Sequence, residues 1–457
     1  MHQQSVSEPS SVVAKERFPR SRYAWYVVIL LTVIYVFSII DRMIMNPLVI
    51  PIRRDLGISD TQISLLIGFG FAIFYTFLSV PLGRLADTWN RRKLIIIGIV
   101  VWSLMTSACG LAGTFTQFLI LRMGVGVGEA VLNPSAFSLI SDYFPREKRA
   151  TPISVYTMAI FLGTGLASFL GGAVTKSAQG VWNLPIGGAI RSWQIIFIIV
   201  GLPGLLLAIL MLTVKEPKRT GLKAVETSGG TSNMTLGKSL LYIRKVWVTL
   251  LCHNLGFALL ILSGVGTGTW IVTFLVRKYG MTIAQAGPLY GFIIIIGGPL
   301  SMIVAGKLSD RLTKRGYRDS NIRVGLIVAL AWIPTGILFP LMPTAGLAIA
   351  LFIPSTLLAM APYGIANAAL LGMMPNPLRG QAIALYGFIA NVIGLGFGPT
   401  AIALMTDYVF HSDQALNYSL LVVGLVAHLA AALLLWIAMR TYPRSLDHFN
   451  DWTGEAV

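Results

Sequence analysis

Of 457 residues, 55% are apolar and only 12% are Asp, Glu, Lys or Arg, about half the charged share of a soluble domain, and mean hydropathy is +0.75. So few charges cannot cover so much apolar surface in water, which excludes soluble globular, disordered, collagenous and disulfide-stapled chains and makes the bilayer the solvent. The net charge of +17 would suit a nucleic-acid binder only if the basic residues shared one soluble face; they sit instead in short patches between apolar runs, so no nucleic-acid partner is expected.

A polar tail, residues 1–22, closes on Lys15, Arg17, Arg20 and Arg22 and lacks the pattern of a cleavable signal. Beyond it, a membrane span needs about 20 apolar residues, and twelve runs reach that length: 24–50, 60–82, 94–113, 117–141, 150–174, 193–214, 245–275, 284–306, 322–342, 345–374, 380–405 and 416–440. Each run is continuously apolar rather than alternating, so helices are expected and barrel strands are not. Residues 215–245 form the one long polar segment, which divides the chain into bundles 23–214 and 245–440 joined by a linker over 215–244, with a tail over 441–457. The fold class is thus an all-α membrane protein of twelve transmembrane helices in two six-helix bundles. Asn233-Met-Thr235 matches a glycosylation sequon, but the topology places it on the wrong side for one.

Orientation follows from the basic residues. Of the 35 Lys and Arg, 27 fall in the tails, the linker and the loops on the same side as these, six on the other side (Arg53, Arg54, Lys176, Arg191, Arg277, Lys278), and two, Arg42 and Arg122, within spans. The positive-inside bias then puts both termini in the cytoplasm of a cell-membrane protein.

Two loop motifs recur. GRLADTWNRRK from Gly83 returns as GKLSDRLTKRG from Gly306, offset by 223, and FPREKRA returns as MPNPLRG, with Pro145 and Pro375 offset by 230. A duplicated six-helix unit explains both. Gly83 suits close helix approach. Asp87 is expected to pair with Arg91 or Arg92, and Asp310 with Lys314 or Arg315, as a conformational latch; the bland reading is a charged turn that anchors topology.

These residues carry a resemblance. The twelve-span plan with GRLADTWNRRK and its second copy resembles the major facilitator superfamily from about Tyr23 to Arg440. Asp41-Arg42 with the stretch from Leu121 to Ala150, LRMGVGVGEAVLNPSAFSLISDYFPREKRA, is similar to its Spinster branch. The resemblance implies alternating access around a midplane site, and a cargo of lysolipid or sphingolipid type moved with protons; relatives that carry soluble organic anions share parts of the pattern. Asn133, Tyr156, Asn254, Tyr363, Asn367, Tyr386 and Asn391 fall in helices that line the cavity in this superfamily, where the bland reading of each is a satisfied interhelical hydrogen bond.

Charge inside the spans points the same way. Only Asp41 and Glu129 among the acids lie deep, with Arg42 and Arg122 at similar depth, and each would cost roughly 2.5–3.5 kcal/mol unpaired at a helix centre. They are expected to pair or face water, with one of Asp41 and Arg42 toward helix 4 and the other toward the cavity. One reading is a static network that orients helices 1 and 4. The other makes Asp41 and Glu129 proton carriers, with Arg42 and Arg122 as charge partners or holders of an anionic head group, together with Asn133, Tyr363 and Asn367.

GVGVGEA lacks the strand and βαβ unit of a dinucleotide site, so its glycines are read as helix packing. Gly264, Gly266 and Gly268 before Trp270, and Pro354 with Pro362, are potential bends. Cys109 and Cys252 are read as free core thiols. His253, His411 and His428 lack ligand-spaced partners, so no metal and no cofactor are expected. No nucleophile elbow or P-loop is present, so the chain is not expected to be an enzyme. The expected partners are a small-molecule or lipid cargo, protons and membrane lipids, with the chain working as a monomer; a non-transporting sensor or a channel is the alternative from another class.

Overall fold

The computed structural model describes residues 21–177, 181–184, 188–217 and 236–454. Residues 1–20 of the N-terminal tail, 218–235 of the linker with the Asn233–Thr235 sequon, and the last three residues of the C-terminal tail lie outside the described residues.

Twelve helical stretches among them are long and apolar enough to cross a membrane: α1 (Ser21–Leu56), α2 (Asp60–Thr88), α3 (Arg91–Cys109), α4 (Phe115–Tyr143), α5 (Ala150–Ala173), α6 (Ser192–Met211), α7 (Gly237–Tyr279), α8 (Ile283–Lys314), α9 (Ser320–Leu341), α10 (Ala345–Met373), α11 (Asn376–Val409) and α12 (Asp413–Trp452). Several overrun their apolar cores because helix continues into the polar flanks. The last helix runs to Gly454, so the C-terminal tail expected over 441–457 is largely helical; Tyr442 in it donates to the Ala369 carbonyl at 2.8 Å. Where a loop was expected between α5 and α6, Val181–Leu184 pairs antiparallel with Gly188–Arg191 as a hairpin, β1 and β2.

Helix boundaries repeat with the sequence offsets. Gly57 (φ 64°) ends α1 and Gly280 (φ 67°) ends α7, both left-handed, where a side chain would be strained. Two residues later, the Ser59 N–H donates to Gln62 Oε1 and the Thr282 N–H to Gln285 Oε1, each at 3.0 Å, the returning half of a capping box. Thr114 and Thr344, 230 apart, cap α4 and α10. Each of those two helices also breaks at its middle, α4 between Glu129 and Leu132 and α10 at Ala361 before Pro362.

Packing repeats too. In the first half α1 lies on α5, α3 on α6 and α2 on α4; in the second α7 lies on α11, α9 on α12 and α8 on α10. The halves meet through α5 against α8 and α2 against α11. On the first of these contacts a Cβ on Gly165 would stand 2.8 Å from the Gly291 carbonyl oxygen, and one on Gly291 2.6 Å from that of Gly165, so these backbones touch as small residues permit.

The core divides along the membrane normal. At the end remote from the linker, one buried apolar cluster draws on both halves, with Ile40, Leu48, Ile63, Phe118 and Trp193 beside Trp270, Phe274, Tyr290, Ile402 and Leu416. Toward the linker end, the two large clusters belong mainly to one half each. Among the described residues, the apolar packing shared by the halves is therefore concentrated at the far end and largely separate toward the linker end.

Candidate functional site

The four charges deep in the first half sit where α1, α3 and α4 converge. Arg42 Nη2 donates to Glu129 Oε2 at 2.6 Å, and its guanidinium lies 4.3 Å over the Phe71 ring and 4.8 Å over Tyr75, so carboxylate and π faces share one cation. Phe71 and Tyr75 are stacked at 5.3 Å. Of the four, Arg42 keeps the most contact with solvent-accessible space, 8%. The sequence expectation that the charges pair is met by Arg42 and Glu129.

Two placements differ from expectation. Asp41 does not face a cavity; it is 2% exposed and accepts a long bond from Thr106 Oγ1 of α3 at 3.4 Å, with Oδ1 buried and unpartnered. Adjacent residues on a helix diverge by about 100°, so turning Arg42 onto α4 sends Asp41 into α3 instead. Arg122 is fully buried and binds neither carboxylate by hydrogen bond. Its Nη1, Nη2 and Nε donate to the backbone carbonyls of Asp41 (3.1 Å), Arg42 (3.3 Å) and Leu66 (3.4 Å). The first two are carbonyls freed near the end of the α1 helix proper, at Met43, before the turn at Asn46-Pro47, and the third belongs to α2. With three of its five N–H groups on backbone carbonyls and the side chain fully buried, Arg122 presents nothing to a head group in this state.

An aromatic and amide network joins this site. Tyr156 donates to Asn133 Oδ1 at 2.7 Å, and Asn133 Nδ2 donates to Tyr75 at 3.0 Å and to Tyr35 at 3.5 Å; Tyr35 and Tyr156 stack at 4.8 Å. Asn133 is thus held through both ends of its amide. In the second half, Tyr363 of α10 stands 230 residues after Asn133, at the offset that relates α4 to α10. Asn367, one turn on, donates from Nδ2 to the Tyr363 carbonyl at 3.4 Å. The glycines of GVGVGEA serve packing: a Cβ on Gly126 would meet the Phe71 carbonyl at 2.9 Å and one on Gly128 the Trp102 nitrogen at 2.7 Å.

At the linker end the expected pairings are replaced. Arg91 is buried and pairs with Asp142 and, at 2.7 Å, with Glu216, and donates to Ser138 at 2.9 Å. Arg92 donates to the Val214 carbonyl at 3.1 Å. Both arginines therefore tie α3 to α4 and to the chain leaving α6, within one half. Asp87, Asp310, Lys314 and Arg315 are exposed, and among the described residues no ion pair joins Asp87 to Arg91 or Arg92, or Asp310 to Lys314 or Arg315. A Cβ on Gly83 would meet only Pro134 at 3.9 Å, and one on Gly306 nothing within 4 Å; neither glycine is at a close approach.

The far end carries a network that sequence reading left among loop residues. Arg277 of α7 makes a fork on Asp60 of α2, 2.5 and 2.7 Å. Arg53 pairs with Asp413 and reaches Asp60 at 3.4 Å. Asp407 accepts from the Thr61 N–H and hydroxyl, both at 2.7 Å, and Ser64 donates to Thr400 at 3.3 Å. Asp60, Asp407 and Asp413 bring carboxylate oxygens within 4.8 Å of one another, and two arginines compensate them. The one signal available in sequence was the presence of acids and bases at the ends of α1, α2, α7, α11 and α12, with nothing to say which would meet. His253 is held between Asn254 Oδ1 (2.9 Å) and the Ala366 carbonyl (3.0 Å), and Cys109 and Cys252 are free, buried thiols.

Known proteins share this architecture. The family model of the Major Facilitator Superfamily matches residues 31–399. An MFS-type efflux pump of Mycolicibacterium smegmatis is 27% identical over 96% of this chain and 99% of its own length. A probable L-galactonate transporter of Escherichia coli is 26% identical over 89% and 87%. The crystal structure of a bacterial homolog to the human lysosomal transporter Spinster, inward-facing and unoccupied, superposes with a TM-score of 0.76 at 25% identity, covering 95% of this chain and 99% of that one.

Proposed function

The chain belongs to the major facilitator superfamily and is a Spinster-like, multi-pass secondary transporter rather than an enzyme, and from that premise we propose that it moves an amphipathic anion, a lysolipid or sphingolipid-like molecule, by proton-coupled alternating access. The observation that carries this reading is the asymmetry of two buried carboxylates. Each leaves one oxygen without a partner, but Glu129 is matched by Arg42 at 2.6 Å, whereas the other oxygen of Asp41 has only the long Thr106 hydroxyl bond and no guanidinium.

A proton on Asp41 removes a buried charge that no guanidinium bonds directly, and a proton on Glu129 releases Arg42, the most accessible of the four, to an anionic head group. The two acids are the proton carriers, Arg42 is the anion holder, and Asn133, Tyr363 and Asn367 flank the cargo. Arg122 is a scaffold that fixes the α1 carbonyls. The ion pair, once exchanged for a cargo anion, re-forms when cargo leaves, which links proton and cargo without ATP or cofactor.

Alternating access uses the two ends. The far-end network of Arg53, Asp60, Arg277, Asp407 and Asp413 holds the state described here, and the Gly83–Asp87 and Gly306–Asp310 loops latch the linker end in the opposite state, where Asp87 and Asp310 gain partners. With both termini and the linker cytoplasmic, as the basic residues suggest, this state opens inward. The transporter works as a monomer in the cell membrane.

The test is uptake into proteoliposomes of lysolipids, sphingoid phosphates and small carboxylates, each with and without a pH gradient. Gradient-driven accumulation of an amphipathic anion supports the proposal. A soluble organic anion as cargo is the second reading, favoured by the sugar-acid name of the Escherichia coli relative, and the same screen separates the two. Absence of labelled counter-flow for every cargo would turn the reading to a sensor.

A further inference from the structure

In the second half, two buried polar atoms facing the same region have no partner: Asn367 Oδ1 on α10 and the Tyr386 hydroxyl on α11. Buried polar groups are satisfied in nine cases of ten or more, so an unmet acceptor and an unmet donor on two helices that share His253 as a neighbour call for a ligand. Two observations place them on one side of His253. Tyr386 lies with its ring 5.6 Å from that of His253, and His253 Nε2 bonds the carbonyl of Ala366, the neighbour of Asn367.

Nearby groups cannot supply the missing bonds. The Ala366 carbonyl only accepts, so His253 donates from Nε2, and its other nitrogen is taken by Asn254. The Asn367 amide orientation is fixed in the same way, because the Tyr363 carbonyl requires the NH2 end. Asn367 therefore offers an unmet acceptor, and Tyr386 an unmet O–H donor.

We propose that Asn367 and Tyr386 form an uncharged subsite that takes a hydroxyl group of the cargo, so that the transported anion carries a free hydroxyl on the part facing the second half. The inference rests on the carrier reading above and adds the substrate class. One hydroxyl donates to Asn367 Oδ1 and accepts from Tyr386. A carboxylate or a fully ionised phosphate has no proton for Asn367, a quaternary ammonium has no N–H, and an ammonium leaves the phenol proton unmet. The hydroxyl belongs equally to a lysolipid backbone or to a sugar acid.

The experiment measures binding to the purified full chain in detergent with two pairs of probes. One pair is lysophosphatidic acid and its 2-deoxy analogue; the other is gluconate and hexanoate. In whichever pair binds, the hydroxylated member is expected to bind wild type about tenfold more tightly than the other, the worth of an ordinary hydrogen bond or more. That ratio should fall to about threefold or less in Tyr386→Phe, which keeps the ring against His253, and in Asn367→Leu. Thermal unfolding verifies the fold of both; if Asn367→Leu unfolds, Tyr386→Phe decides. Equal binding of both members by wild type, or a ratio unchanged in the folded variants, overturns the subsite while leaving the anion reading intact. Silence of all four probes overturns the anion reading, and the subsite with it.

Discussion

The two halves share boundaries, breaks and packing, and differ in charge. At the 223 offset that relates Gly57 to Gly280, Asp41 and Arg42 correspond to Gly264 and Val265; at the 230 offset that relates Thr114 to Thr344, Glu129 corresponds to Ala359 and Asn133 to Tyr363. The half with four buried charges has its amide and phenols engaged around them. Both halves hold unmet polar atoms, but in the first they include the carboxylate oxygens of Asp41 and Glu129, whereas on α10 and α11 of the second they are the uncharged Asn367 Oδ1 and Tyr386 hydroxyl. One scaffold has thus been given two chemistries, an ionic one able to answer to protons and a neutral one able only to read shape and hydrogen bonds.

The largest expected break in this comparison is Glu129→Ala. It leaves Arg42 buried without its carboxylate, which should cost roughly 3–5 kcal/mol and lower the unfolding temperature in detergent sharply, while Ala359→Ser at the matching position should change it little. Equal effects at the two sites would erase the distinction.

Removing Asp60 tests the joint between the halves. In Asp60→Asn, Arg53 and Arg277 lose a shared carboxylate, and the far end should open at a cost to the closed state of about 2–5 kcal/mol. Labelling of Ser64→Cys by a membrane-impermeant thiol reagent should rise well above that in the single Ser64→Cys variant. Unchanged labelling would make the far-end network ornamental.

Arg122→Ala sharpens the division of labour among the arginines. Loss of three carbonyl bonds should destabilise the protein by roughly 1.5–3 kcal/mol and weaken anionic and neutral cargo analogues equally. Selective loss of anion binding would return the head group to Arg122. The smallest effect is expected from Asp87→Asn, exposed here, which should slow turnover a few-fold with cargo affinity unchanged; lost affinity with normal turnover would contradict the latch.

The helices, the duplication and the depth of the four charges were legible in sequence, because apolar length and rare intramembrane charge are imposed by the bilayer itself. Which charge meets which was not. Arg91 was read toward Asp87 in its own loop but reaches Asp142 and Glu216, since a long side chain at a helix start can choose any neighbour that folding delivers. Arg122 was read as a charge partner or a holder of a head group because nothing in the sequence announces that α1 leaves carbonyls free before Asn46-Pro47. The far-end network escaped for the same reason: Asp60 and Arg277 are 217 residues apart, and only the close contact of α5 with α8 and α2 with α11 brings the ends of the halves together.

The most direct test of the central claim, that the charged half couples cargo to protons, is Asp41→Asn in proteoliposomes, assayed for pH-gradient uptake and for cargo exchange at equal concentrations. Asparagine keeps the size of the side chain and mimics a permanently neutral acid, so the fold should persist. The account predicts that gradient-driven accumulation is lost while exchange survives. Accumulation that continues undiminished in the variant would contradict it and leave the buried charges as a fixed brace between α1, α3 and α4.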